Sequence, residues 1–569
     1  MTMLETIGPN DWTTIAPHIS ALLDVDLTPE RATEWLWQWS DLAKSVWDGL
    51  AALNRAKFQD TTNEAAEQAF HTYLREIESK FSVANQALRS KLLSVPDYVP
   101  APAHAEMVRR WRNEVDLFRP ENVALQTDIT ALESEFYKIA WAPPTPTGDQ
   151  ESTSPSTNQE SRDAPRAVPQ EIRREAEAAW RAETARWMQH RDLLNDVFLQ
   201  LLALRRQLAR NAGLPTYRAY EWRALNRLDY TPTDALAFHD AVAREIVPLV
   251  TRWRDAQRAQ LRARTSRPWD FEVDLTPRSP VPPYADVHEL VAGVERLLGQ
   301  VDPEFGALFA RLRAGDLDVG RRPGKAPTSV EIFCYKTGLP YVHVTEAPPH
   351  ELGILLHETG HAFHDMISAA HQDLFWNVGG PEEFCECAAA TMMLLPMAYL
   401  ERQHGGFYAP EDVVREQVAA VERMMVHYQP HLTAVDAFEH WVYGEAPEDV
   451  RPRDLDAKWR ELSGRFMPTI DWTGLEAEQM SRWQREWTTF SRPFYMNSYS
   501  LAHFGALQIW RNAQADPRGT VRAFKEALAL GKTRPLPELY KVAGVRLPFT
   551  RTVVGDVARF IAPYLSAPV

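Results

Sequence analysis

Apolar side chains return every three or four residues along most of this chain, with charged residues between them. The run ERATEWLWQWSDLAKSVWDGLAALNRAKF, Glu30 to Phe58, shows the pattern well and predicts an amphipathic helix. The same spacing resumes before Val250 and continues past it. It never holds a heptad long enough for a coiled coil, and no fixed-period repeat emerges. Strand-like runs are few. The best is SVEIFCYKTGLPYVHV, Ser329 to Val344, where two β-rich runs flank the turn signal Lys336-Thr337-Gly338. It predicts a hairpin, and a surface hairpin with no role is the plain alternative. The fold expected is mainly α.

The patterning breaks once. APPTPTGDQESTSPSTNQESRDAPRAVP, Ala142 to Pro169, is dense in Pro, Ser, Thr and charge and almost free of large apolar residues. Too little surface is available there to offset the entropy of ordering, so 142–169 reads as a disordered linker or loop. It separates an N-terminal helical lobe, 1–141, from a C-terminal region, 170–569.

Composition narrows the classes. The 569 residues are 45% hydrophobic and 24% charged, ordinary values for a globular protein with a large core. A net charge of -15 argues against nucleic acid and anionic membrane surfaces as partners. The opening MTMLETIGPNDW has no basic or apolar leader, and no run is long enough to span a bilayer. The three cysteines, Cys334, Cys385 and Cys387, are too sparse for a disulfide framework. These features together suggest a cytoplasmic protein. Cys385 and Cys387 form a C-x-C pair, which reads as helix packing rather than metal ligation.

Candidate chemistry centres on LLHETGHAFHD, Leu355 to Asp365. On a helix His357 and His361 share a face, so both imidazoles can reach one ion. Zn²⁺ held this way wants a third protein ligand and one open position for water. Glu358 is turned about 100° from His357 and can take a proton from that water. The helix is apolar, so the histidines would be buried, and buried unpaired imidazoles are costly. Gly360 costs about 1 kcal/mol inside a helix, which suggests that something approaches the backbone closely there. His364 shares the face and reads as a supporting or structural residue.

Candidates for a third ligand are Glu382, Glu383 and Glu386 in GGPEEFCECAAATMMLLP. Gly379-Gly380 makes a turn, Pro381 suits the first helical position, and acids suit the first turn. The helix should end before Pro396. Glu386 lies deeper than an acid that merely complements the helix dipole. It needs a partner, which a metal or an arginine could provide.

These blocks resemble the oligoendopeptidase F branch of the thimet-oligopeptidase-like zinc metallopeptidases. In that family the third ligand follows the second histidine by 25 residues, and here that position is Glu386, within EEFCECAA. The likeness extends to Ala209–Asp234, Ala434–Gly444, Arg492–Trp510 and Leu530–Phe549. It is good from Gln170 to Phe549 and weak in the N-terminal third. It implies a bi-lobed helical ellipsoid with a deep substrate channel, and a hairpin beside the zinc helix that offers its edge to the substrate. It also implies one Zn²⁺ on His357, His361 and Glu386, with Glu358 as general base. Tyr495 and Tyr499 match tyrosines that close over the substrate, although ordinary helix packing would also explain them. Two features depart from the pattern. Where the family has a histidine, this chain has Thr488 and Thr489, and where it has an acid seven residues after the third ligand, this chain has Met393. Glu383, Asp365 or His364 could take over from that acid.

The expected activity is a zinc oligoendopeptidase acting on short unstructured peptides. The alternatives are a zinc-holding peptide binder with weak or no catalysis, and an exopeptidase using the same metal chemistry.

Overall fold

The computed structural model describes residues 8–140, 169–273, 283–345 and 350–565. Apart from Pro169, the segment 142–169 lies outside the described residues. The structure is mainly helical with one small sheet, as the apolar spacing predicts. Among the described residues no helix is long and apolar enough to cross a membrane. By proximity the chain forms two compact units, each drawn from three segments, so the units interleave in sequence.

The first unit comprises Met1–Asp116, Pro282–Val414 and Leu501–Leu547. Its longest helix, α1 (Ala32–Gln59), contains most of the run that predicted a helix. One stripe of α1, with Trp35, Leu36, Trp39, Leu42 and Val46, is buried in a core that includes Phe81, Leu88 and Trp111. The Trp39 ring lies 4.8 Å from Trp111 and 4.3 Å from Trp376, and its indole N–H donates to Asn85 at 2.9 Å. Further along α1, Ala51 and Phe58 pack against Val330, Ile332 and Tyr341 of the sheet.

The sheet has three strands: β1 (Asp316–Val319), β2 (Val330–Cys334) and β3 (Leu339–Val344), in the order β1-β3-β2. β2 and β3 form the expected antiparallel hairpin, and Gly338 supplies the positive φ of +65° that its turn requires. β1, which pairs parallel to β3, was not expected. Pro340 lies in the central strand without loss. The β1 pairing begins one residue later, at Tyr341, so the missing N–H falls where β3 has a single neighbour.

Helix α2 (Glu351–His371) carries the two motif histidines and α3 (Glu382–Leu394) carries Glu386. The regular part of α3 ends before Pro396, as expected, whereas Pro381 is its N-cap rather than its first helical residue. The two helices approach closely at Gly360. A Cβ placed there would lie 2.5 Å from the Ala389 Cα and 2.8 Å from the Ala388 carbonyl oxygen. This is the close backbone approach that a glycine inside a helix signals.

The second unit comprises Leu117–Val281, Arg415–Ser500 and Pro548–Val569. Phe136 and Phe490 stack at 4.2 Å, with Phe198 and Trp483 in the same aromatic group. Buried Arg205 donates to the carbonyl of Thr489 at 3.0 Å and to that of Phe490. Glu439 accepts from the Thr489 hydroxyl at 2.7 Å and from the Phe494 N–H at 2.5 Å, and Arg227 donates to the Phe494 carbonyl at 2.8 Å. These bonds hold Phe494 at φ +67°, a strained value for a bulky residue. It immediately precedes α4 (Tyr495–Ala515).

Gly360→Ala should destabilise the protein even though alanine is the better helix former by about 1 kcal/mol. The atoms in the way are backbone, so the overpacking term of about 1–3 kcal/mol should win. Urea unfolding checks this, and an unchanged or raised midpoint would show that α2 and α3 can separate freely.

Candidate metal centre

Leu352, Leu355, Leu356, Phe363, Met366 and Ile367 bury the apolar side of α2. That burial fixes the helix and so fixes where the motif histidines stand. The His357 and His361 rings are 4.9 Å apart at 83°. Glu386 reaches across from α3, with Oε2 3.5 Å from His357 Nε2 and 3.7 Å from His361 Nε2.

Those distances suit a shared ion. Tetrahedral zinc with metal–ligand bonds of about 2.0–2.1 Å separates its donors by about 3.3 Å. The donor atoms of His357, His361 and Glu386 all lie within 4.8 Å of one another. Among the described residues no other set of three His, Cys, Asp or Glu donors comes so close together. Burial holds His357 well below the usual imidazole range and lowers His361 to about 4. Both rings are therefore neutral at physiological pH, the form in which imidazole binds a metal. The residues present fit a zinc ion.

Glu358 is buried beside this group. Its carboxyl interacts with that of Glu331 on β2, which in turn interacts with Asp365. Burial and these two like charges push the Glu331 carboxyl well above the usual range. Asp365 is also raised by burial, to about 6, while Lys532 and His361 act in the opposite sense. Of the acids considered as replacements for the one missing at Met393, Asp365 acts electrostatically on His361. Glu383 is buried in the first turn of α3 and stays outside the metal group.

His364 is enclosed. A Cβ on Gly380 would meet its Cε1 at 2.5 Å, and neither ring nitrogen has a hydrogen-bond partner among the described residues. Burial lowers its pKa to about 3, so it is a neutral packing residue. Cys385 and Cys387 are free thiols outside the group. Burial raises both, Cys387 to about 12, so neither is a ready thiolate.

Tyr495 and Tyr499 stand in the second unit on the first turns of α4, with rings 5.0 Å apart. Thr488 and Thr489, where the family has its histidine, are fully buried in that unit. His503, which lies outside the metal-ligand motifs, belongs to the first unit and acts electrostatically on His357. Its own pKa falls to about 4 through burial. Nothing in its local sequence signals its nearness to His357, which arises only from the fold.

A model of peptidase family M3 matches residues 167–557. Comparison with curated proteins finds no match. Among solved structures, that of a candidate oligoendopeptidase F superposes on 98% of this chain and 97% of its own, with a TM-score of 0.85 and 21% identity. PZ peptidase A with inhibitor 2 gives 98%, 96%, 0.83 and 19%. A candidate oligoendopeptidase F from Bacillus anthracis str. Ames gives 98%, 97%, 0.82 and 17%. At these identities the likeness to the solved structures is one of fold.

The donor set makes a direct prediction about metal. Glu386→Ala should weaken zinc binding by more than the roughly 10–100-fold typical of residues that only support a ligand, whereas Glu383→Ala should retain the metal. Metal analysis after equilibrium dialysis checks this. Retention by Glu386→Ala together with loss by Glu383→Ala would reassign the third ligand.

Proposed function

The chain belongs to peptidase family M3, and we propose that it is a zinc-dependent oligoendopeptidase that cleaves internal bonds of short, unstructured peptides. The observation that carries this reading is the convergence of two neutral imidazoles and one buried carboxylate, with a further carboxylate, Glu358, at the next helical position. Zinc bound there would supply a Lewis acid for the peptide carbonyl and a water of pKa near 7.

This chain's residues do the rest. His357, His361 and Glu386 would hold the ion. Glu358 takes the proton of the attacking water and returns it to the leaving amine. Tyr495 or Tyr499 donates a hydrogen bond to the oxyanion, a role carried by the family resemblance. The edge of β2 offers backbone groups to an extended chain. A folded protein has no free extended backbone to present, which supports short peptides as the substrate class.

One observation favours a second reading, a zinc-holding peptide binder without catalysis. The hydroxyl of Thr489, near the position of the family's histidine, is committed to Glu439. Retention of Glu358, which a binder does not need, favours the enzyme.

Glu358→Gln separates the two readings. The variant should keep its zinc and lose about 10²–10⁴-fold in hydrolysis of a quenched fluorescent peptide, the usual contribution of a general base. A zinc-loaded Glu358→Gln protein as active as the parent would end this mechanism, and a parent with zinc but no hydrolysis would favour the binder.

Substrate class has its own test. Mass spectrometry should find internal cuts in peptides of up to about twenty residues and no digestion of folded proteins, as expected when closure over the substrate gates the reaction. Efficient digestion of a full-length protein, or removal of single terminal residues only, would contradict the oligoendopeptidase reading.

A further inference from the structure

Among the described residues the outer edge of β2 is covered at one end and without backbone partners at the other. Phe333 is paired with Pro340, which has no N–H, so the two cannot exchange ladder hydrogen bonds. The Phe333 backbone therefore points away from β3, and by the two-residue alternation so does that of Glu331. The Phe333 carbonyl is already taken, accepting from the indole N–H of Trp47 at 2.8 Å. The next outward groups are taken as well. The carboxylate of Asp48 accepts from the N–H of Tyr335 and from that of Lys336, both at 2.7 Å. Trp47 and Asp48 are neighbours on α1, in the same unit as the sheet. Among the described residues nothing pairs with the outward backbone groups of Glu331, and the Glu331 carboxyl interacts with that of Glu358.

We propose that Trp47 and Asp48 are specificity-determining residues that stop the peptide track along β2, limiting how far a substrate can extend in register on one side of the bond it loses. This rests on the endopeptidase reading above. A strand added to the edge rises about 3.4 Å per residue, so the stop lies about two residues, roughly 7 Å, from the Glu331 position. Antiparallel pairing is the more stable ladder and puts the stop on the substrate's amino-terminal side. Beyond it the peptide loses its backbone partners and meets the indole of Trp47, which is 37% exposed. Covering an edge strand can also serve only to prevent edge-to-edge association. That role would leave the dependence on substrate length untouched.

The test uses the zinc-loaded full chain and a ladder of quenched peptides. A fixed core is lengthened one residue at a time, first at its amino end and then at its carboxyl end. The parent should lose roughly two- to tenfold in kcat/KM once the chain passes about three residues on the stopped side, the worth of one or two backbone hydrogen bonds, with no such break on the other side. Trp47→Ala and Asp48→Ala should move or remove that break. Trp47→Phe should remove the indole donor while leaving a ring in place, and so relieve it partly. Trp37→Ala, on an exposed part of α1, should behave as the parent. Zinc content and melting temperature are read for each variant to show that it is folded. A parent that cleaves the core with no break, or a break identical in folded Trp47 and Asp48 variants, overturns the stop and leaves the endopeptidase reading standing. A zinc-loaded parent that cleaves no member of the ladder overturns both.

Discussion

Two helix backbones meet at Gly360, and the candidate metal centre depends on that approach. With no side chain at 360 and only small ones at Ala388 and Ala389, α2 and α3 come close enough for Glu386 to reach the two motif imidazoles. A helix with a bulky residue at any of these positions would push α3 outward, and the third donor would lose its reach. The cost of a glycine inside a helix is thus offset by the geometry it permits. The apolar burial of α2 acts in the same direction by fixing the angle at which the histidines emerge.

Burial also sets the electrostatics. His357 and His361 are half-buried, and the loss of hydration they do suffer lowers both imidazoles below their ordinary range, so an ion meets little competition from protons at neutral pH. The same burial gathers carboxyl groups, with Glu331, Glu358 and Asp365 interacting on the β2 side of α2. Uncompensated, such a group of acids is unfavourable. Lys532 eases it at Asp365, and a divalent cation at the neighbouring donors would ease it further.

Much of this was legible in the sequence, for local reasons. Helical spacing alone predicted the mainly α architecture, and a β-rich run on each side of a Gly-containing turn predicted the β2–β3 hairpin. Gly360 announced a close approach because its cost is local, and the small residues of CECAAA supplied the surface it meets. What escaped was long-range. β1 is four residues with two acids, and its pairing to β3 leaves no trace in its own pattern. The interleaved units follow from contacts between distant segments. His503 looked like one more helix residue until the fold brought it within electrostatic reach of His357. The roles of Tyr495 and Tyr499 rest on resemblance, because their place in the second unit does not by itself assign them chemistry.

The central claim is that His357, His361 and Glu386 form one zinc site with a position left open. X-ray absorption at the zinc edge of the metal-loaded protein tests it most directly, because it reads the donors themselves rather than a consequence of them. The account predicts a first shell of nitrogen and oxygen only, at about 2.0–2.2 Å, with the outer-shell signature of two imidazoles and a total of about four donors, one of them solvent. A sulfur neighbour near 2.3 Å, which would implicate Cys385 or Cys387, or a shell lacking two imidazoles, would contradict it.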